Sequence, residues 1–184
     1  MSESFTLHAG DLSVVLLRSG DRYRHEILST AGERQLLLAS VEGTDDQAWP
    51  PSPPFQEVHL RQDGVYAALL VGRAGRGHWS ASIEPDPSQQ AILFDVACRS
   101  SGDIDWLGSS YRWFGEAVAP SDDAQAFFLS PDLQLHVLEG EARLGEEGKT
   151  GALSIVPRWT ASRGSQTVRW RYRVRRAGRP ASSA

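Results

Sequence analysis

The stretch GHWSASIEPDPSQQAILFDVACR, residues 77–99, decides the fold class. Its first half alternates with period 2. Trp79, Ala81 and Ile83 fall on one side, and His78, Ser80, Ser82 and Glu84 on the other. Its second half does the same: Ile92, Phe94, Val96 and Cys98 oppose Ala91, Leu93, Asp95, Ala97 and Arg99. Strict alternation is the mark of a half-buried strand, and two such runs around a Pro-containing link read as a hairpin. The two apolar faces must coincide, because a one-residue slip would turn one strand inside out. The simplest register pairs Ile83 with Ile92, Ala81 with Phe94 and Trp79 with Val96, leaving PDPSQQ as the loop. Ser80 then faces Asp95, and His78 faces Ala97 with Arg99 on the diagonal.

The same period runs outward in both directions. FTLHA, LSVVLLR, RYRHEIL, RQLLLASVE, FQEVHLR, VYAALLVG, FGEAVA, AFFLS, LQLHVLE, ALSIVPRW and TVRWRYRVR all read as short strands, separated by turn chemistry such as SGD, AGE, QDG and SRGS. No long amphipathic helix interrupts them. The expected fold is all-β: one antiparallel two-sheet β-sandwich of roughly ten to thirteen strands, with a β-barrel as the alternative. One domain over residues 1–176 is expected, with a disordered tail over 177–184. Three segments break the rhythm. EGTDDQAWPPSPPF carries four prolines and reads as an ordered loop pinned by Trp49 or Phe55. RSSGDIDWLGSSYRW reads as irregular, and GEARLGEEGKTG as mobile.

Composition narrows the function classes. The 184 residues are 40% hydrophobic and 23% charged, which suits a folded chain. Cys98 is the sole cysteine, so an internal disulfide and any multi-thiolate zinc or iron–sulfur site are excluded. The opening MSESFTLHAGDLS has neither a basic start nor a long apolar run, and no apolar run is long enough to span a bilayer. A cytoplasmic location is therefore expected, with no membrane partner. The basic residues are 18 arginines and Lys149 alone. Arginine grips carboxylates through a planar fork that lysine lacks.

The polar side of the hairpin gathers His78, Ser80, Glu84, Asp95 and Arg99, and FQEVHLR adds Glu57, His59 and Arg61 in the same phase. The plain reading of such a face is cross-strand pairing in solvent. The functional reading is a concave face for a small polar ligand. In an enzyme, His78 or His59 would be the general base and Glu84 or Asp95 the acid or orienter. Ser80, His78 and Asp95 have the composition of a nucleophilic triad but lack a nucleophile elbow. The five histidines, His8, His25, His59, His78 and His136, form no metal-ligand spacing, and no metal or cofactor is expected. Asp103 and Asp105 in GDIDW suit turn caps better than calcium. GRAGRG has arginines where a phosphate loop needs lysine and a hydroxyl.

Trp49, Trp106, Tyr111 and Trp113 lie in or beside the irregular loops. Exposed rings beside polar groups would suit a sugar, and rings that anchor their loops are the plainer reading. Trp79, Trp170 and Trp159 are expected in the core. In TVRWRYRV, Arg169, Arg171 and Arg173 share one face, and Arg175 continues the row. The pI of about 5.7 and rings on the opposite face argue against nucleic acid. Carboxylates from neighbouring strands are expected to pair the row, with an anionic ligand or acidic partner as the alternative.

WPPSPPFQEVHL (residues 49–60), GHWSASIE and ILFDVACR resemble segments of an uncharacterised family of bacterial proteins, a likeness that implies no activity. The residues themselves point to a domain binding a small polar molecule or carbohydrate. An enzyme on a sugar or similar substrate, and an interaction module without a pocket, stand as alternatives.

Overall fold

The computed structural model describes residues 3–64, 66–114, 119–120, 125–130, 133–145, 151–160 and 164–176. Fifteen strands follow one another and no helix occurs among the described residues: β1 Ser4–Ala9, β2 Leu12–Ser19, β3 Arg22–Ser29, β4 Gln35–Ser40, β5 Phe55–Arg61, β6 Ala67–Ala74, β7 Gly77–Asp86, β8 Ala91–Ser100, β9 Ser109–Trp113, β10 Ala119–Pro120, β11 Ala126–Ser130, β12 Leu133–Glu139, β13 Glu141–Leu144, β14 Ala152–Val156 and β15 Gln166–Arg176. They make two antiparallel sheets. The seven-stranded sheet runs β1-β2-β3-β4-β9-β14-β13, and the eight-stranded one β10-β11-β12-β15-β8-β7-β6-β5. Neither order closes on itself, so the fold is a sandwich and not a barrel.

Tight hairpins come from a recurring turn. Ala74 pairs with Gly77 across the two-residue link Gly75-Arg76, and Gly75 has φ +50°. Glycine at the first central position matches the twist of the flanking strands. Gly10 and Gly20 open β1–β2 and β2–β3 in the same way, with φ +63° and +62°.

The core lies between the sheets. Leu7, Leu12, Val14, Leu16, Ile27, Leu38, Leu153 and Ile155 meet Leu70, Ile83, Ile92, Phe94, Val96, Leu135, Trp170 and Val174. Trp79, Trp170 and Cys98 are buried as expected. Phe94 and Tyr172 stack with centroids 4.8 Å apart at 4°.

Several expectations need correction. The hairpin keeps its faces but moves by two residues: Ile83 pairs with Phe94, Ala81 with Val96 and Trp79 with Cys98. Asp86 is the reason. Its Oδ1 accepts the N–H groups of Ser88 and Gln89 at 3.0 and 3.1 Å, closing the link at residues 87–90. Pro85 and Asp86 therefore join β7. Pro85 fits there because the β6 ladder stops at the Ala68–Ile83 rung, leaving a neighbour on one side only. Two strands appear where none was expected. β9 lies in the supposedly irregular SSYRW, and β13 in the segment expected to be mobile. Trp159 lies beyond β14, which stops at Val156 just before Pro157. Residues 146–150, the proposed tail 177–184, and residues 115–118 of FGEAVA lie outside the described residues.

Candidate functional site

The outward face of the eight-stranded sheet follows from the register. One rung reads Thr167, Arg99, His78, Arg73 across β15, β8, β7 and β6. The next reads Arg169, Ala97, Ser80, Val71, and the third Arg171, Asp95, Ser82, Leu69. A fourth holds Arg173, Leu93 and Glu84.

The predicted residues share this face but do not form a triad. Asp95 faces Ser82, not Ser80. His78 faces Arg99, four residues along β8 from Asp95, or roughly 13 Å at ~3.3 Å per residue. Asp95 is also occupied. Arg169 donates to both its oxygens, with Nε 2.7 Å from Oδ1. Arg171 Nε lies 3.4 Å from Oδ2. His59 sits at the far end of the sheet on β5, 3.4 Å from Glu57. Leu69 and Val71, 37% and 41% exposed, separate it from β7. Glu84 forms no ion pair among the described residues.

Of the arginine row, Arg169 and Arg171 share Asp95, as the pairing expectation requires. Arg175 instead donates to His136 Nε2 at 3.2 Å and to Gln134 Oε1 at 3.4 Å. Arg173 has no carboxylate within ion-pair distance among the described residues, and its buried Nε has no hydrogen-bond acceptor. Among the described residues Asp95 is the carboxylate within ion-pair distance of the row, and Glu139 stands opposite Arg171 on β12 beyond that distance.

The loop aromatics act as anchors. Trp49 packs edge-on against Trp79 at 5.7 Å. Trp106 Nε1 donates to the Pro51 carbonyl at 3.3 Å, and Trp113 Nε1 to that of Leu129 at 3.2 Å. Tyr111 is fully buried and so cannot meet a ligand at the surface.

What the topology does assemble is a cleft of about 530 Å³ lined by Arg76, His78, Arg99, Ser100, Ser101 and Ser165. Alternation puts His78 and Arg99 side by side. The Gly75-Arg76 turn adds Arg76, whose guanidinium lies over Gly102, where a Cβ would stand 3.0 Å from Nη1. Arg99 Nε donates to Ser165 Oγ at 3.4 Å. Arg73 of β6 pairs with His78 and does not line the cleft. Among the described residues, Arg73, Arg76 and Arg99 have no carboxylate within 4 Å. Sequence reasoning missed Arg76, Ser100, Ser101 and Ser165. The legible signal was the turn in GRAGRG, which aims Arg76 beside His78.

Beneath this face the core holds a polar seam. His25 and Tyr111 face inward from β3 and β9, with Ser40 of β4 small enough to let them meet at 2.7 Å. Tyr111 Oη reaches Tyr172 Oη of the opposite sheet at 2.5 Å. Trp170 Nε1 donates to Ser109 Oγ at 2.9 Å. Burial holds the His25 imidazole neutral by lowering its pKa to about 4, and raises the Tyr172 phenol to about 12. Glu42 continues the inward phase after Leu38 and Ser40. Its Oε1 accepts from Ser40 Oγ at 2.6 Å, while Oε2 is buried without a donor. Burial raises this carboxyl to about 7, against hydrogen bonding from Ser40 and the opposing charges of Arg22 and Arg24.

Compared with protein-family models and with curated proteins, the chain matches none. No helix among the described residues is long and apolar enough to cross a membrane.

Proposed function

We propose that this chain is a small-molecule-binding β-sandwich domain whose ligand presents an acidic group to Arg76, His78 and Arg99. The observation that carries the reading is the unbalanced charge of their cleft. A protein of net charge -4 gathers Arg76, His78 and Arg99 in one cleft, with Arg73 of β6 beside His78, and among the described residues no carboxylate lies within ion-pair distance of these arginines. Arginines gathered without a carboxylate leave a local positive field, and an anion that visits the cleft accounts for it. Guanidinium forks and serine hydroxyls are suitable donors for a carboxylate, sulfate or phosphate. The ligand class is a small acidic molecule, including acidic sugars, and not nucleic acid. We place the protein in the cytoplasm, in keeping with a free, buried Cys98 and no disulfide.

The enzyme reading has less behind it, because among the described residues no acid or orienting carboxylate pairs with His78. Calorimetric or NMR titration with sulfate, phosphate and glucuronate tests the proposal. At least one should bind, more weakly as salt rises. Arg99→Ala should weaken it by roughly ten- to a hundredfold, the value of a charge-assisted hydrogen bond of about 1.5–3 kcal/mol. A folded protein that binds none of these anions would overturn it.

A further inference from the structure

A second cleft, of about 470 Å³, adjoins the first and has a different chemistry. Its lining includes Glu139, Arg158, Trp159, Thr160, Gln166 and Thr167. The two meet at β15. Thr167 lines the second cleft and is paired directly with Arg99, which lines the first. Ser165 of the first and Gln166 of the second are consecutive residues.

The first cleft offers cations and hydroxyls. The second offers both signs of charge, two threonine hydroxyls, a glutamine amide and a half-buried indole that packs in part against the core. A ring with an apolar face and a rim of hydroxyls matches that set: the indole takes the face, while Glu139 accepts and Arg158 and Gln166 donate at the rim. Arg169 is already held by Asp95, so Glu139 and Arg158 cancel and a second acidic group gains no net attraction there. The charge pattern thus runs from acid-accepting to neutral along one line.

We infer that the two clefts form one extended site for an oligosaccharide, with an acidic sugar at Arg76, His78 and Arg99 and a neutral sugar against Trp159. This rests on the anion reading above and specifies its substrate class. It also separates the ligand from a nucleic-acid strand, whose evenly spaced phosphates would place charge beside Glu139.

Three probes test the inference by calorimetry: glucuronic acid, a neutral disaccharide, and a disaccharide of glucuronate joined to a neutral hexose. The mixed disaccharide should bind about tenfold or more tighter than glucuronic acid, equivalent to about 1.4 kcal/mol. The neutral one should bind most weakly of the three. Trp159→Ala should reduce the mixed disaccharide to the affinity of glucuronic acid and leave glucuronic acid itself unchanged. Because Trp159 packs partly on the core, the exposed Arg158→Ala and Glu139→Ala serve as second variants and should weaken the disaccharide selectively. If glucuronic acid binds and the mixed disaccharide binds no tighter, the extended site is wrong and the anion cleft stands. If no acidic probe binds, both are wrong. An oligonucleotide that binds tighter than the disaccharide and is lost in Trp159→Ala would assign the groove to nucleic acid instead.

Discussion

β15 shows two ways of placing polar groups on one strand. Inward, Trp170 and Tyr172 carry an indole N–H and a phenol into the core, and both find partners there. Outward, Arg169, Arg171 and Arg173 have one aspartate among them. The inner groups had to be partnered, because an unmet buried hydrogen bond costs about 1–3 kcal/mol. Arg169 did not, because half of its side chain is exposed and water serves it at little cost, whereas the buried Nε of Arg173 goes unmet among the described residues. The lesson is where to seek function: unpartnered groups are tolerated at the surface, and there they remain available to a ligand.

The largest expected effect lies on the inner side. Trp170 is 0% exposed and bonded to Ser109. Trp170→Ala should destabilise the fold by about 3–5 kcal/mol in urea or guanidinium unfolding. An unchanged midpoint would break the contrast between the two faces.

Next comes a pair of opposed pH effects. The His25 imidazole is lowered to about 4. As pH falls below its ordinary value near 6.5, the unfolded chain takes up a proton that the folded one refuses, and stability is lost down to about 4. The Glu42 carboxyl is raised to about 7. The folded chain holds its proton between pH 4.5 and 7 while the unfolded chain has released it, so stability is lost as pH rises through that window. Each shift amounts to about 3 kcal/mol at most. The two slopes oppose, and the wild type should melt at nearly constant temperature between pH 4.5 and 6.5. Glu42→Gln should unmask a loss on acidification, and His25→Gln a loss on raising the pH. Parallel curves for all three proteins would show that neither group is as buried as described.

The outer ion pairs should matter little. Arg169→Ala is expected to cost about 0–1 kcal/mol despite its two bonds to Asp95, because half of the arginine side chain is exposed. A cost near that of Trp170→Ala would mean that the face is covered in the native state. The smallest response expected is at Cys98, whose thiol burial raises to about 12. A thiol reagent should leave the native protein unlabelled and react once denaturant is added.

Much of this is legible in the sequence. Period-2 alternation assigned inside and outside correctly along β7, β8 and β15, because it records burial directly. It could not set the register of β7 and β8, since a shift of two residues preserves every face. The Asp86 turn made that choice, through side-chain bonds that leave no mark on hydropathy. β9 was hidden for a related reason: its inward Ser109 and Tyr111 are polar, and their place in the core depends on Trp170 and Tyr172 far along the chain. The cleft was half legible. His78 and Arg99 belonged to the face that alternation exposed, while Arg76 entered through a turn and Ser165 through the approach to β15.

The strand order has a consequence for biosynthesis. β15 follows every other described strand in the chain yet lies in the interior of its sheet, between β12 and β8, where Ala91 pairs with Arg175. At about 5–20 residues per second, a ribosome takes several seconds to travel from β8 to β15. During that interval β8 is an open edge bearing Ile92, Phe94, Val96 and Cys98, the type of strand that pairs with other nascent chains. Its only charged residues are Asp95 and Arg99. Asp95 and Arg99, which in the finished sheet face Arg171 and Thr167, are thus the only charges that edge would carry before its partner arrives.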